Sequence, residues 1–585
     1  MQLARRRALF FSLVCLTMAG MFALMAYALS DGGLDWVDGL ILTAYALSLP
    51  WPTLGLWNAV FGLGLMLFRR DPEAAASPIA RLGDDDAPIV TRTAIAICVR
   101  NEEPARLRRN LSAMLAELEG SAALGHVDCF VLSDTNKPDI AAGEEAVADD
   151  LAASYAGRIP VTYRRRLVND DFKAGNIRDF CDRWGTGYDF MIVLDADSFM
   201  SAAAMVRMIR VMQAKDDLGI AQTLTVGMPS ASPFARVFQF GMRLGMRSYT
   251  LGAAFWQGDC GPYWGHNAII RLAPFIAHCH LPKLASGKPI LSHDQVEAVL
   301  MRRAGFEVRV LPLEDGTWEE NPPTLLEFMR RDLRWCEGNM QYWRLLAMPG
   351  LKPVSRFQLV FAILMFVGAP AWMGLVALFS LRGLLVGAAT PLFRPEAAYW
   401  SLVLMMTMTF APKIASAIRV LLHPTERRLF GGPLRFVGNL LLETVFSALL
   451  APVMAVTQTV FLGGLAMGRT IGWTSQLRDD HAVPLSAATQ RLWVQSLCGI
   501  VVTYLFAKIS LGAVLWASPV LLGLLLAVPF AMVSALPGLG LAFARFGIGR
   551  IPEETVHPAA LAPLHLPALV LHSKSLVGQA IKVPS

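Results

Sequence analysis

Two aspartates separated by one residue are the first candidates for chemistry in this sequence. Asp195 and Asp197 stand in "LDADS", directly after the apolar run "FMIVL". Two carboxylates at the end of a strand form a hard oxygen site, which suits Mg²⁺ or Mn²⁺ bridging a diphosphate. A solvated turn with two acids is the alternative, because a D-x-D pair is a short motif.

Other polar residues also follow apolar runs. Asp134 ends "FVLSD", and Lys173 stands in "FKAGN" at a predicted helix entry. Asn101 and Glu103, in "CVRNEEP", follow the first strand of the middle of the chain. A lysine and a helix N-terminus both bind phosphate oxygens. Each residue alone is compatible with a helix cap or a surface charge, but together they predict one polar cluster per strand end.

A second group of candidates lies closer to the apolar C-terminal half. Asp294, in "LSHDQVEA", is a candidate general base or simply a helix N-cap. Arg331 and Arg334 are three residues apart and so share a helix face, with Trp335 adjoining. Guanidinium groups bind phosphates in a bidentate manner, and an indole offers a flat face to a sugar ring. The alternative for this helix is contact with anionic lipid headgroups.

Strands and helices must alternate to bring these residues together. "TAIAICV", "HVDCFVLSD" and "YDFMIVLDADS" are typical of buried strands, and "EPARLRRNLSAMLAELEG" is typical of a helix between them. This alternation predicts an α/β domain with a mostly parallel open sheet over residues 71–350. In such sheets ligands bind at the carboxyl ends of the strands, where the polar residues stand.

The composition predicts a polytopic membrane protein around that domain. Apolar residues make up 54% of the chain and charged residues 17%, with a mean hydropathy of +0.45. No dense basic tract with interleaved aromatics is present, which argues against nucleic acid as a partner. Candidate spans cover residues 8–29, 39–68, 357–382, 398–422, 494–517 and 519–544. Residues 436–466, interrupted by Pro452, are read as two short spans or as one kinked interfacial helix.

Charge placement orients the chain. Basic residues at both outer ends of the first two spans, with acids between them, place the α/β domain in the cytoplasm. Lys413, Glu443 and Lys508 lie within apolar runs and are functional candidates, although Lys413 is also compatible with snorkelling. The predicted domains are two N-terminal spans (1–70), the α/β domain (71–350), transmembrane and interfacial helices (351–466), a cytoplasmic loop (467–492), two further spans (493–545) and a cytoplasmic tail (546–585).

The ordered set Asp134, "KAGN", "DAD", "HD" and "RxxRW" resembles the processive family-two inverting glycosyltransferases, which include the cellulose and hyaluronan synthases. The similarity covers roughly residues 90–345. The chain departs from the family at Arg331, where the synthases have glutamine. "GPYWGHNAIIR", "RRDLRWCEGNMQY" and "GWTSQLRDD" are similar to the branch that makes the β-1,2-linked glucose backbone of osmoregulated periplasmic glucans.

The resemblance implies a GT-A glycosyltransferase domain inserted between α-helical transmembrane segments, and it implies a role for each motif. Donor and UDP binding falls to Asp134, Lys173, Asp195, Arg331, Arg334, Asn101 and Glu103. The metal ion, Mg²⁺ or Mn²⁺, falls to Asp197 with Asp195, and the catalytic base is Asp294. Acceptor binding falls to Trp335, Trp264 and His266. A gating-type loop contributes Trp473, Thr474, Gln476 and Arg478.

The implied function is polymerisation of glucose from UDP-glucose into a β-glucan, with inversion, and its passage across the bacterial inner membrane. The implied partners are UDP-glucose, the growing glucan chain, membrane lipid and periplasmic glucan-processing proteins. Two alternatives stay open. One is a non-processive transferase acting on a lipid carrier, and the other is a cellulose- or hyaluronan-type synthase of different linkage.

Overall fold

A computed structural model describes residues 2–31, 33–284, 287–386, 393–471 and 477–568. The strands are β1 Thr93–Val99, β2 Val127–Ser133, β3 Val161–Arg165, β4 Phe190–Asp195, β5 Ser198–Met200, β6 Leu218–Thr223, β7 Val226–Gly227, β8 Ala268–Arg271, β9 Glu307–Leu311 and β10 Thr317–Glu319. The helices of the N-terminal half are α1 Leu3–Leu29, α2 Trp36–Ser48, α3 Pro50–Phe68, α4 Pro72–Ala76, α5 Pro104–Glu119, α6 Pro138–Ser154, α7 Phe172–Trp184, α8 Ala202–Ala214, α9 Pro233–Gln257 and α10 Leu272–His278. Those that follow are α11 Asp294–Arg303, α12 Leu325–Met340, α13 Pro353–Val386, α14 Pro395–Leu422, α15 Pro424–Leu429, α16 Pro433–Ala466, α17 Leu485–Ile509, α18 Leu511–Leu525, α19 Ala527–Val533, α20 Pro537–Phe546 and α21 Glu553–Val556. Short 3₁₀ helices cover Pro78–Arg81, Gly185–Gly187, Gln341–Leu345 and Ala559–Leu564.

The α/β domain is built on a seven-stranded sheet in the order β3-β2-β1-β4-β8-β6-β9. Strands β3, β2, β1 and β4 are mutually parallel, and β6 pairs with β9 in parallel. Only β8 runs antiparallel to its neighbours in this sheet. A smaller sheet, β5-β10-β7, adjoins it. The predicted mostly parallel open sheet is therefore confirmed.

Both faces of the large sheet are covered, which explains why its central strands β1 and β4 are apolar without alternation. Along β1, Ile95 and Ile97 point into the core under α5 and α8, whereas Ala94 and Ala96 point into the opposite core, which holds residues of α7 and α11. Because polar side chains are excluded from both faces, they are left to the strand ends.

The α/β domain contacts the membrane helices through α9, which crosses α3 at very short range. A Cβ on Gly62 of α3 would lie 2.0 Å from the backbone oxygen of Ser248, and one on Gly252 of α9 would lie 1.9 Å from that of Asn58. Small residues on both helices allow this approach of the two backbones. Trp256, buried on α9, also donates a 2.9 Å hydrogen bond to Asn58 Oδ1.

Seven helical stretches of the described chain are long and apolar enough to cross a membrane, judged by length and composition alone. They are α1, α2 with α3, α13, α14, α16, α17, and the pair α18 and α19, which is bent by 57°. The two C-terminal stretches divide at Ser510 rather than near residue 518. The Ser510 side chain accepts a hydrogen bond from Ala513 N and caps α18.

Helix α16 is continuous through Pro452, so residues 436–466 form one helix. Near its start, Asn439 donates to the backbone oxygen of Gly547 (3.1 Å), close to where Arg236 of α9 binds Ile548. Just past its end, Ile471 N donates to Glu337 of α12 (2.8 Å). One end of α16 is thus held by the segment after α20, and the chain just past its other end is held by α12.

The segment after α20 packs onto the α/β domain. Glu554 forms a fully buried ion pair with Arg236 of α9 (2.8 Å). Leu561 and Leu564 are buried in the core that contains Leu107 of α5. Up to residue 566, the predicted tail is therefore an integral part of the domain, whereas residues 569–585 lie outside the described chain.

Candidate active site

Three parallel strands end at one edge of the sheet and deliver polar residues there. Val99 of β1 pairs with Ser133 of β2, and Cys98 of β1 pairs with Asp195 of β4. Asp134, which directly follows β2, donates its backbone N–H to the Val99 oxygen at 2.9 Å. Because the register is fixed by these ladders, the candidates of "LSD" and "LDADS" lie side by side.

Asp134 is buried and held by an arginine that the sequence did not single out. Arg166 donates to both carboxylate oxygens of Asp134, from Nε at 2.8 Å and from Nη2 at 2.7 Å. Asn169 fixes the backbone oxygen of Asp134 at 2.6 Å. This bidentate pair fixes the orientation of the carboxylate at the wall of the site.

Lys173 reaches from the first turn of α7 to the end of β4. Its ammonium group donates to Asp195 and, at 2.8 Å, to the Gly265 oxygen. Burial alone would lower the pKa of Lys173, but the Asp195 carboxylate and other neighbouring groups together keep this pKa above its ordinary value. Gly175 makes the turn possible, since a Cβ there would lie 2.0 Å from the Asp170 oxygen.

Asp197 faces an arginine from the predicted cytoplasmic loop. Nη1 of Arg478 donates to Asp197 Oδ2, and Nε lies 3.3 Å from Glu102 Oε2. Burial raises the pKa of Glu102, and Arg478 offsets part of that rise. Burial alone would lower the pKa of Arg478, but Asp197 and Glu102 hold it above its ordinary value. The described part of the loop thus reaches the strand end that carries "DAD".

The helix α12 brings two more guanidinium groups to the same place. Arg331 stacks over the Trp335 ring, with 4.8 Å from its Cζ to the ring centroid. Burial, followed by the charges of Arg478 and Arg331, lowers the pKa of Arg334 to about 10. Three mutually repelling cations that face one hollow favour a polyanionic ligand.

Asp294 opens α11 and lies against the loop that carries "WGHN". A Cβ on Gly265, which has a φ of +86°, would lie 3.3 Å from Asp294 Oδ2. The preceding His293 is buried, with Nδ1 at 3.0 Å from Glu297 Oε2. Burial would lower the pKa of His293, but Glu297 and then Asp294 raise it above its ordinary value. The base candidate therefore has an imidazole–carboxylate pair directly beneath it.

Trp264 and His266 stand on either side of Gly265. Trp264 N donates to Gln222 Oε1 at 2.8 Å, and His266 Nε2 lies 3.4 Å from Glu319 Oε2. Burial would lower the pKa of His266, but Glu319 and then Asp195 raise it above its ordinary value. This loop fills the side of the hollow between β4 and α11.

One cavity of about 240 Å³ unites these groups. Its lining includes the predicted residues Asp134, Lys173, Asp195, Asp197, Trp264, His266, Asp294, Arg331, Arg334, Trp335 and Arg478.

Two predicted donor-binding residues do not line this cavity. Asn101 adopts a φ of +53°, and its Oδ1 accepts from the backbone N–H groups of Asn136 (3.2 Å) and Lys137 (3.3 Å). Its side chain is thus used in holding a turn. Glu103 is exposed at the start of α5 and is not part of the cavity lining. The positions that do line it from this turn are Arg100 and Glu102. Of the predicted gating-loop residues, Trp473, Thr474 and Gln476 lie outside the described residues.

Sequence reasoning also missed several lining residues. Glu319 comes from β10, a three-residue strand with no periodicity to detect. Ser292 and His293 precede Asp294, and "SHD" was the available signal. Arg166 does not line the cavity but holds Asp134 there, and it gave no signal beyond its place in "YRRR", because this contact depends on the pairing of β3 with β2.

Comparison with known proteins agrees with this geometry. Residues 190–413 match the model of the glycosyl transferase family group 2. A glucans biosynthesis glucosyltransferase H of Xanthomonas campestris pv. campestris (strain B100) is 36% identical over 555 residues, which cover 92% of this chain and 85% of the relative. The chain belongs to the glucans biosynthesis glucosyltransferase H family.

Other members of the glucosyltransferase H family are similar over the same length. The protein of Rhodopseudomonas palustris (strain TIE-1) is 34% identical, over 96% of this chain and 79% of the relative. That of Pseudomonas aeruginosa (strain LESB58) is 36% identical, over 89% of this chain and 62% of the relative. The protein is thus a glycosyltransferase with a GT-A-like domain flanked by membrane helices, as predicted.

A solved structure from outside the glucosyltransferase H family aligns weakly. A mannosyltransferase from Pyrobaculum calidifontis, in complex with GDP-mannose and Mn²⁺, aligns with 62% of this chain and 99% of that chain at a TM-score of 0.39 and 12% identity. A similarity at this level carries no argument about the ligands of the present protein.

Proposed function

We propose that the protein is a processive, inverting glucosyltransferase that polymerises glucose from UDP-glucose into a β-glucan and moves the product across the bacterial inner membrane. The β-1,2 linkage of osmoregulated periplasmic glucans is the product we expect, because the relatives carry the name of glucan biosynthesis. The charge placement around the first spans supports a cytoplasmic catalytic domain.

A single observation carries this proposal: acids, a lysine, four arginines and two tryptophans line one hollow beside the membrane helices. A diphosphate needs cationic partners, a sugar needs flat apolar faces, and an acceptor hydroxyl needs a base. The cavity offers all three kinds of group. A headgroup-binding helix alone would require only the arginines of α12.

The donor would bind at the strand ends. A carboxylate has about four lone-pair sites, and Arg166 uses two of those on Asp134. The remaining sites face the cavity and would accept from the uracil ring. Lys173 would contact the same end of the nucleotide, since its ammonium group is already held at the cavity wall by Asp195 and Gly265.

Asp195 and Asp197 could bind a divalent cation only if substrate phosphates supplied further ligands. Asp195 and Asp197 provide hard oxygens, and the described residues contain no group of three His, Cys, Asp or Glu side chains able to hold a metal. One or two carboxylates plus substrate phosphates is the usual way in which proteins bind Mg²⁺. Mg²⁺ or Mn²⁺, held by Asp197 with Asp195, would neutralise charge on the departing diphosphate.

The chemistry requires one base and several cations. Asp294 would take the proton of the acceptor hydroxyl, whose oxygen then forms the bond to the anomeric carbon as the bond from that carbon to UDP breaks. Attack from the face opposite UDP inverts the centre and gives a β-linkage from an α-linked donor. Arg331 and Arg334 would stabilise the negative charge that develops on UDP.

The acceptor would rest on tryptophan faces at the membrane side. Trp335 is 48% exposed although it lines the cavity, so one face of its indole is free for a sugar ring. Its helix, α12, contacts both α13 and α16. A glucan carries too many hydroxyls to cross lipid unaided, so the product needs a path lined by protein, and this position favours a direct one.

The deciding experiment incubates the purified full-length protein in detergent with UDP-glucose and Mg²⁺. We expect UDP release together with a long β-glucan, whose linkage NMR determines. A single sugar on a lipid carrier would replace this proposal with the non-processive alternative, and a different linkage would assign the protein to another synthase type. EDTA should stop turnover, and added Mg²⁺ or Mn²⁺ should restore it; synthesis that persists in EDTA would remove the metal from the proposal.

A further inference from the structure

Arg478 is bound to the Asp197 carboxylate, which is also the proposed ligand of the metal ion. Its guanidinium group contacts both Asp197 and Glu102, which lie 281 and 376 residues earlier in the chain. The next residue, Asp479, forms an ion pair with Arg106 of α5 at 2.6 Å. Two adjacent residues of opposite charge therefore bind two oppositely charged partners at the rim of the cavity.

The environment makes a counter-charge for Asp197 necessary. Asp197 is only 9% exposed, and an unpaired carboxylate at that depth is strongly unfavourable. Without a ligand, Arg478 supplies the charge. Arg478 lines the same cavity as Arg331 and Arg334, and burial together with the charges of Arg478 and Arg331 lowers the pKa of Arg334. Several cations are thus gathered around Asp197, and a bound diphosphate would reduce the repulsion between them.

We propose that Arg478 is a positioning residue that stands in for the divalent cation at Asp197 and is exchanged for it when the donor binds. The cation takes the Asp197 oxygen, and Arg478 keeps its contact with Glu102 while its Nη1 turns to the diphosphate. The exchange moves one positive charge off Asp197 as another arrives, so the carboxylate is never left unpaired. Metal without nucleotide must compete with the arginine, whereas metal with nucleotide does not.

This assignment rests on the proposed function only in naming the diphosphate. The competition between Arg478 and a cation for Asp197 depends on the geometry alone. This competition can therefore be measured in the absence of any sugar nucleotide. The assignment of Arg478 stays valid even if the sugar nucleotide is not UDP-glucose.

The test measures Mn²⁺ binding to the purified full-length protein by EPR of free Mn²⁺, without nucleotide. We expect Arg478→Gln to bind Mn²⁺ about tenfold more tightly than wild type or better, because a hydrogen bond between charged groups is removed from the competition. Arg478→Lys keeps the positive charge but loses the two-pronged guanidinium group, so its Mn²⁺ affinity should lie between those of the wild type and Arg478→Gln. The double variant Asp197→Asn/Arg478→Gln should lose this gain in Mn²⁺ affinity, because the carboxylate that would bind the ion is gone.

Arg109→Gln is the matched control, since it removes an arginine of the same rim that pairs with Glu320 at 2.6 Å. We expect no change in Mn²⁺ affinity for it. In a second arm, Mn²⁺ and UDP are added together, and Arg478→Gln should bind UDP more weakly than wild type. Equal Mn²⁺ affinities of wild type and Arg478→Gln, or a gain that persists in the double variant, would overturn the proposal. Thermal unfolding of each variant identifies any that fails to fold. If Arg478→Gln fails to fold, the Mn²⁺ affinity of Arg478→Lys relative to wild type tests the proposal.

Discussion

Lys413 of α14 forms an ion pair with Glu443 of α16. Ser447 completes the contact, accepting from Lys413 at 2.8 Å and donating to Glu443 at 2.6 Å. Gly241 of α9 leaves the room for it, since a Cβ there would lie 2.2 Å from Glu443 Oε1. Lys413 and Glu443, which the sequence presents as candidates for a function, therefore connect α14 with α16 at the place where α16 packs against α9.

We expect Lys413→Met to lower the free energy of unfolding by roughly 3–5 kcal/mol, because it leaves the buried Glu443 carboxylate without its partner. The double variant Lys413→Met/Glu443→Leu should recover most of that loss, since neither charge remains. Thermal unfolding of the detergent-solubilised protein measures both. A double variant as unstable as the single one would show that the pair does more than neutralise itself.

Replacing Asp294 by Asn should reduce glucosyl transfer by roughly 100- to 10,000-fold, the usual contribution of a general base. UDP-glucose binding should stay within a few-fold of wild type, because the amide keeps the shape of the side chain. Radiolabelled transfer and calorimetry measure the two quantities. Asp150→Asn, an exposed carboxylate paired with Arg108, is the control and should leave both unchanged. Full transfer by Asp294→Asn would assign the base elsewhere.

Arg334→Ala should weaken UDP binding by about tenfold or more and shorten the product, because a charged hydrogen-bond donor to the diphosphate is lost. The control on the same helix is Arg330→Ala, which removes a residue paired with Glu327 at 3.1 Å. Calorimetry with UDP and gel analysis of the glucan measure the two effects. If Arg334→Ala changed only binding to anionic vesicles, α12 would be a headgroup-binding helix.

The location of much of the candidate site was predictable, because its polar residues stand in short motifs that directly follow apolar strands. The strands "FMIVL" and "FVLS" are apolar on both faces, and that pattern fixes where Asp195 and Asp134 must emerge. The position of Asp294 at the first turn of a helix followed in the same way. These predictions depend only on local pattern and on the parallel order of the sheet.

The remaining features depend on contacts between distant segments. Asn101 and Glu102 are adjacent, and only the turn with φ +53° at Asn101 decides which side chain enters the cavity. The partner of Asp134, Arg166, comes from the end of the neighbouring strand. The continuity of α16 through Pro452 was not predictable either, because a proline inside an apolar run is compatible both with a break and with one continuous helix.

The buried pair beneath the base predicts a dependence of stability on pH. Burial would lower the pKa of His293, but the charge and hydrogen bond of Glu297, together with the charge of Asp294, raise this pKa above its ordinary value of 6.5. The charge of Lys173 opposes the rise. A base with a raised pKa binds its proton more tightly when folded, so its contribution is fully present below 6.5 and is lost as pH rises through the folded pKa.

We therefore expect the melting temperature of the wild type to fall between about pH 6 and about pH 8, the range in which histidines titrate. His293→Gln should flatten part of that slope. His266, which is paired with Glu319 and also has a raised pKa, supplies the rest, so His266→Gln should remove a separate part. Differential scanning fluorimetry across the range measures all three. If His293→Gln kept the full wild-type slope, the imidazole would be neutral throughout and Glu297 would hold no ion pair.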